Sequence, residues 1–451
     1  MINRTITPEI QSLSNLCKQS AHIKSELYTE YNVKRGLRDE NGRGVLVGIT
    51  EVSEVNATKL VNGKSVPAPG ELFYRGYDIH DIITGIPPES NFGYEESLYL
   101  LLFGDLPNKE QLASFLHILA GYRELPATFL RDILMMAPSK DLMNMLARSV
   151  LTLYSYDSFA DDITVPNVLR QCLQLTSVFP MLSVYGYQIY RHYHDGYSLV
   201  IHSPQKQLST AETILSLLRM DGTYTQMEAK LLDICLVLHM EHGGGNNSTF
   251  TTRMVTSSGT DTYSAIAAAL GSLKGNKHGG ANNKVVLMMS DLKEHVKDWT
   301  DEDAISDYLR TLLNKTGFDH TGLIYGMGHA VYSLSDPRAE ILRRFAKDVS
   351  REKNRDREYN LYALVSRLAP KVISEECKIF KGVSPNVDFF SGFVYELLDL
   401  PPQLYTPLFA ISRISGWSAH RLEELLYNGK IMRPAYMAVT EQRSYLPIED
   451  R

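Results

Sequence analysis

Apolar residues recur along most of this 451-residue chain at the spacing of a helix face. In Tyr263 to Leu273 the apolar positions Tyr263, Ile266, Ala267, Leu270 and Leu273 share one side, with Thr260 and Asp261 before them as cap candidates. Met227 to His242 is apolar nearly all round, which marks a helix buried inside something large. The same period predicts helices at Glu95 to Phe103, Lys109 to Tyr122, Val168 to Tyr193, Thr210 to Arg219, Ala339 to Arg351, Glu358 to Ala369 and Tyr405 to Leu426. Strand signals are sparse. Gly44 to Ser53 and Leu72 to Tyr77 predict small hairpins, and no alternation of strands with helices marks a parallel sheet. The expected fold is mainly α.

Two glycine-bearing breaks interrupt the helical pattern, Gly275 to Gly280 and Gly382 to Gly392, with enough chain between them for a small domain. The expected architecture is a large multi-helix domain from residues 1–275 and 390–451, with residues 1–70 as an N-terminal extension. A smaller helical domain, 276–389, is inserted into it. A cleft between two such domains is where ligands bind and closures happen.

Composition narrows the partners. The 46 basic and 52 acidic residues leave a formal charge of -6, so no basic field awaits nucleic acid or an anionic membrane, and an anionic ligand must be met by individually placed cations. Cys17, Cys172, Cys235 and Cys377 lie far apart and form no C-x-x-C pair, which suggests neither a disulfide framework nor a zinc ribbon and fits a reducing compartment. The N-terminal stretch through Cys17 lacks the apolar core of a leader, and apolar runs such as Leu98 to Phe103 are too short to span a bilayer. The expectation is a cytoplasmic protein.

Several polar residues stand where chemistry is possible. His278, in "GNKHGGANNK", is either incidental to a glycine-rich turn or, because it precedes a helical pattern whose N-terminus disfavours imidazolium, a neutral ring able to donate one hydrogen bond. His242, in "EHGGGNNS", closes the buried helix, either as a favourable C-terminal cation or as a ligand-binding group; with His239 it also raises the possibility of a metal, though no matching Asp, Glu or Cys set recurs. Arg338 falls in the first turn of a helix opened by Asp336 and Pro337. It either pairs locally with Asp336 or Glu340 or joins the helix N-terminus in a carboxylate or phosphate site. Asp388 is either an ordinary N-cap or, beside Phe389 and Phe390, a carboxylate open to upward tuning as a base for carbon acids. Arg413 and Arg433 complete the set of candidate cations.

Four blocks in order, "HGGGNNSTFTTR", "KHGGANNKV", "GMGHAVYSLSDPRA" and "NVDFFSGFVYELLDLPPQLYTPLFAISRISGWSAHRLEE", resemble the citrate synthase family, and the likeness covers most of the chain. The resemblance implies an acyltransferase that condenses acetyl-CoA with oxaloacetate to citrate and CoA, with no metal and no cofactor beyond the CoA substrate. By its motifs Asp388 removes a methyl proton, His278 donates to the thioester oxygen, and His329 holds and protonates the ketone of oxaloacetate. His242, Arg338, Arg413 and Arg433 match the oxaloacetate ligands, with Asn246 beside them and Arg433 reaching in from the second subunit of a homodimer. Leu323, Ile324, Tyr325, Gly326, Met327 and Gly328 match the segment that packs on the CoA adenine.

This chain departs from the family at Ala330, Ser333 and Leu334, where relatives carry basic residues associated with the CoA phosphates. The nearest rival chemistry is the same reaction on propionyl-CoA, giving 2-methylcitrate, because one methylene changes discrimination by only about 1–3 kcal/mol. A non-catalytic helical scaffold of this fold would predict a broken residue set, whereas His278, His329, Asp388 and Arg338 are all intact.

Overall fold

The structure, a computed structural model, describes residues 5–20, 23–39, 42, 44–275, 278–378, 382–427 and 429–451. The chain forms two compact units, one from Met1–Gly48 with Met432–Arg451 and one from Ile49–Ile431. In the smaller unit, Thr7 caps a helix over Pro8–Gln19 that buries none of its residues; Ile10, Leu13 and Leu16 are exposed. Its C-terminal segment has no regular secondary structure apart from a short turn at Ile448–Asp450. Both glycine-bearing breaks lie in the larger unit, and the expected boundary at Asn276 falls, with Lys277, outside the described residues.

The larger unit opens with an antiparallel three-stranded sheet, Ser53–Val61, Lys64–Tyr74 and Tyr77–Asp78. The long hairpin turns at Asn62-Gly63 and the short one at Arg75-Gly76, both pairs in the left-handed region that two-residue turns demand. This corrects the first expected hairpin: Gly44 to Val52 forms no strand, and the Asn-Gly signal lies one segment later.

Helices follow, as the apolar period predicts. Gln226–His239, Thr262–Lys274, Ala281–His295, Pro337–Glu352 and Tyr405–Leu426 lie close to their expected positions. Two further helices, Leu142–Leu153 and Glu302–Leu313, start at Asp141 and Asp301, whose carboxylates take up free backbone N–H groups of the first turn. The helix expected to stop at Ala369 runs from Asp356 to Cys377 through Pro370, because Val372 and Ile373 beyond the proline are buried against the core. At the centre lies Tyr405–Leu426, buried at every position from Tyr405 to Glu423 and packed against Gly93–Phe103, Val165–Asp195, Gln226–His239 and Asn247–Thr256. A helix so enclosed delivers its polar residues, Arg413, His420 and Arg421, into the interior. Among the described residues, no helix is long and apolar enough to cross a membrane.

Candidate active site

The site begins where the Gln226–His239 helix ends. Its last carbonyls need donors, and side chains supply them: Ser412 Oγ to Leu236, the Tyr74 hydroxyl to Val237 at 2.9 Å, and Arg413 Nε to His239 at 2.7 Å. The chain then leaves the helix and presents His242, 7% exposed, edge-on to the rings of His329 at 4.9 Å and Tyr332 at 5.3 Å. Burial, joined by Arg338, His329, Arg413 and His278, holds its pKa well below the usual imidazole value. His242 is therefore a neutral ring beside cations and does not serve as the charged end of a helix.

Asn246 opens the next helix, Asn247–Thr256, and Ser248 in its first turn forms a hub. The Ser248 hydroxyl donates to Asn246 Oδ1 at 3.0 Å, accepts from Trp417 Nε1 at 3.1 Å, and lies 3.0 Å from His278 Nε2. His278 sits in the turn before Ala281–His295, its pKa lowered to about 4 by burial first and by Arg413 second. The neutral ring is as expected, but desolvation and a neighbouring guanidinium keep it so. Gly279 has a local cause too: a Cβ there would meet the carbonyl oxygen of Leu273 at 2.5 Å.

Two loops joined by hydrogen bonds bring His329 and Asp388 together. Gly328 N donates to Ser384 O and Asn386 N to Gly326 O, both at 2.9 Å, and Asn386 Nδ2 reaches Gly328 O at 2.8 Å. His329 Nδ1 accepts from the backbone N–H of Val331 at 3.0 Å and Tyr332 at 3.1 Å, which leaves its proton on Nε2. Asn386, not Asp388, caps the Val387–Leu397 helix, through a 3.0 Å bond to Asp388 N. Freed from capping, Asp388 keeps its Oδ1 sealed from solvent and without a partner. Burial raises its pKa to about 6, Arg338 and Arg413 drawing it down and Asp336 pushing it up.

Both arginines are buried, 3% exposed for Arg338 and 0% for Arg413. Arg338 makes the expected local pair with Asp336 rather than Glu340, a fork of 3.0 and 2.7 Å through Nε and Nη2. Asp336 also accepts Val387 N at 3.2 Å, which ties the pair to the helix of Asp388. Arg413 has no carboxylate in such a fork. Its Nη1 is buried without a partner, and burial lowers its pKa to about 10. A desolvated guanidinium with an open donor is a costly arrangement that a bound anion relieves.

Thus His242, His278, His329, Arg338, Arg413 and Asp388 converge, with Asn246 behind His278. Arg433 is exposed in the smaller unit. Of the expected adenine segment, Leu323 is exposed and Ile324 buried, while Tyr325 bonds Asp319 at 2.7 Å. Phe409 escaped sequence reasoning, although its ring lies 4.7 Å from the Arg413 guanidinium, 4.8 Å from His239 and 6.3 Å from His278. Its position four residues before Arg413 on one helix face was the available signal. His239 donates from Nδ1 to Cys235 O at 2.8 Å, and among the described residues no group of His, Cys, Asp or Glu is arranged to hold a metal ion.

Over residues 37–435 the chain matches the family model described as citrate synthase, C-terminal domain. It is 32% identical over 424 residues to a citrate synthase of Haloferax volcanii, covering 93% of this chain and 99% of that protein. It is also 31% identical over 415 residues to a 2-methylcitrate synthase of Shewanella oneidensis, covering 91% and 97%. Its fold matches that of the citrate synthase of Thermoplasma acidophilum, solved in a ternary complex with carboxymethyl coenzyme A and oxaloacetate, with a TM-score of 0.75 and 25% identity over 93% of this chain and 99% of that one. Motifs, helical architecture and likeness along nearly the whole length agree: the chain belongs to the citrate synthase family of acyl-transferring enzymes.

Proposed function

We propose that this protein condenses acetyl-CoA with oxaloacetate and releases citrate and CoA. The observation that carries the reading is the sealed, unpartnered Oδ1 of Asp388 in the electrostatic reach of Arg338 and Arg413. A carboxylate raised to about 6 is largely ionised at neutral pH, yet more basic than an ordinary aspartate, as abstraction of a thioester methyl proton requires. His278 donates to the thioester oxygen as negative charge develops there, and His329, with its proton on Nε2, donates to the ketone of oxaloacetate. Arg338, Arg413 and His242 bind the two carboxylates, with Arg433 completing the site from a second subunit of a homodimer. The segment Leu323 to Gly328 packs on the adenine, and closure of the cleft keeps water from acetyl-CoA until oxaloacetate is bound. Water then hydrolyses the citryl thioester. The reaction needs no metal and no further cofactor.

His278 can serve in this way only in one tautomer. If Ser248 gives its single proton to Asn246 Oδ1, Nε2 of His278 must donate to Ser248, and Nδ1 carries a lone pair. With the Asn246 amide turned, its NH2 group donates to Ser248, Ser248 donates to His278 Nε2, and Nδ1–H is left for the thioester. Asn246 thereby selects the tautomer of His278.

The propionyl-CoA reaction remains the second reading, favoured by the similarity to a 2-methylcitrate synthase. Thiol release with oxaloacetate, run in parallel on acetyl-CoA and propionyl-CoA, decides between them. The expected result is a higher kcat/KM on acetyl-CoA, and absence of thiol release with both would sink the condensation reading.

A further inference from the structure

Glu241, the residue before His242, is fully buried, as is His420 on the Tyr405–Leu426 helix. Their Oε1 and Nε2 stand 3.1 Å apart, close enough for attraction between charge and dipole but out of line for a good hydrogen bond. The other ring nitrogen of His420, Nδ1, faces Arg253 Nε at 3.0 Å and Nη2 at 2.8 Å. A guanidinium only donates, so Nδ1 accepts and the imidazole proton sits on Nε2, turned toward Glu241. Arg253 continues to Glu424 Oε2 at 2.9 Å through Nη1 and to Glu423 through Nη2. Glu423 accepts from the Thr50 hydroxyl and from Glu51 N, both at 2.7 Å, and Glu241 accepts from the Ser53 hydroxyl at 3.0 Å. Carboxylate, imidazole, guanidinium and carboxylates thus alternate through the interior.

None of these groups has a part in the chemistry above, yet the chain on both sides of His242 rests on them. Glu241 precedes His242 and contributes one end of the series. Gly244, two residues after it, lies against the middle: a Cβ there would stand 3.5 Å from both Arg253 Nε and His420 Cε1. Gly416 lets the central helix approach, since a Cβ there would meet Glu241 Oε2 at 2.2 Å and Met240 O at 2.5 Å. Arg253 belongs to the helix whose first turn holds Ser248, the contact of His278.

We propose that Glu241, His420, Arg253 and Glu423 form a buried strut that fixes His242 and the following glycine turn, and that they are positioning residues for the dianionic substrate. The proposal rests on the reading of His242 as an oxaloacetate ligand. Substitution at His420 leaves Arg253 its carboxylate partners Glu423 and Glu424 and loosens the Glu241 end under His242, so it acts on oxaloacetate binding and not on the chemical step.

The test compares His420→Leu, which removes both ring contacts, with His420→Asn, whose amide oxygen can replace Nδ1 as acceptor for Arg253. In the leucine variant the oxaloacetate KM rises at least about tenfold while kcat stays within about threefold, and the acetyl-CoA KM is unchanged. The asparagine variant recovers most of the loss. Nitrogen-15 NMR of the histidine rings in the unmodified full-length protein reads the arrangement without any substitution, and the expected state of His420 is the Nε2–H tautomer. A folded leucine variant with an unchanged oxaloacetate KM, an equal rise in both KM values, or an Nδ1–H ring or imidazolium at His420 would each overturn the proposal. If the leucine variant does not fold, the asparagine variant and the NMR decide. Lack of turnover by the unmodified protein would instead count against the condensation reading, and the NMR alone would then judge the strut.

Discussion

Two aspartates of the larger unit are pushed the same way by burial, Asp233 to about 7 and Asp388 to about 6, yet they are built for different ends. Asp233 commits both oxygens, accepting from Gly93 N and Tyr94 N at 2.9 Å each, and so holds the start of the Gly93–Phe103 helix. Asp388 has its helix capped by Asn386 and keeps Oδ1 free. Two arginines of the central helix repeat the contrast. Arg421 donates to Thr262 Oγ1, Thr256 Oγ1 and Thr260 O, whereas Arg413 leaves Nη1 open. A displaced pKa or a buried charge does not by itself separate the members of each pair; what separates them is whether the side chain's polar atoms are committed to holding the fold.

Substitution is the most direct way to break this comparison. Asp388→Asn is expected to lower kcat by about 10³-fold, within the usual range for loss of a general base, without lowering Tm, because the carboxyl it alters has an unpartnered oxygen. Asp233→Asn is expected to leave kcat unchanged and to lower stability by about 1–2 kcal/mol, since an amide can satisfy only part of the same helix start. Steady-state kinetics beside thermal melts check both, and a comparable loss of turnover in the two variants would erase the distinction.

Asn246→Asp is next in size. A carboxylate can only accept, so it takes the Ser248 proton, and His278 is left with a lone pair facing the thioester; kcat is expected to fall about 10²-fold, as for loss of one oxyanion donor. Wild-type turnover in this near-isosteric variant would remove Asn246 from the role of tautomer selector.

Arg413→Leu is expected to raise the oxaloacetate KM about 30-fold, equivalent to roughly 2 kcal/mol, with the smaller effect on folding. Arg421→Leu is expected to do the reverse, costing about 1–3 kcal/mol in urea unfolding by stranding buried acceptors and leaving KM alone. Arg338→Leu is a poorer probe: it would strand Asp336, and about 3–5 kcal/mol of stability could be lost before any binding effect is read.

The mildest test is pH. Asp388 must be ionised to act, so kcat/KM is expected to rise with pH through about 6. Asp233 acts on stability in the opposite direction. Its folded pKa, about 7, lies above the ordinary carboxylate value, so between those values the folded state binds the proton that the unfolded state has lost. That contribution is full below the ordinary value and is lost as pH rises through about 7. Unfolding at a series of pH values, compared with Asp233→Asn, isolates it.

Much of the fold was legible because a helix announces itself through spacing and caps. Tyr405–Leu426 and Thr262–Lys274 follow the apolar period almost residue for residue. What spacing obscured has particular causes: Pro370 looked like a stop but lies inside a helix anchored by buried residues beyond it, and the Asn62-Gly63 turn sits among strand residues too polar to show alternation. His278, His329 and Asp388, the proposed catalytic residues, were visible as motifs. Their states were not, because Asp388 looked like a cap until Asn386 proved to be one, and His278 owes its neutrality to burial and an arginine 135 residues away in the chain.

By itself the sequence determined the helical class, the order of its motifs and the residue types at the site, because periodicity, capping chemistry and motif spacing are local properties of a chain. Only the tertiary structure decided which of those residues are committed to holding the fold and which remain free to act. Burial and partnership depend on segments far apart in sequence: Tyr74 against the end of the Gln226–His239 helix, Ser384 against Gly328, and Arg253 against His420. The free energy of a polar atom is set by what surrounds it, and those surroundings exist only once the chain has folded.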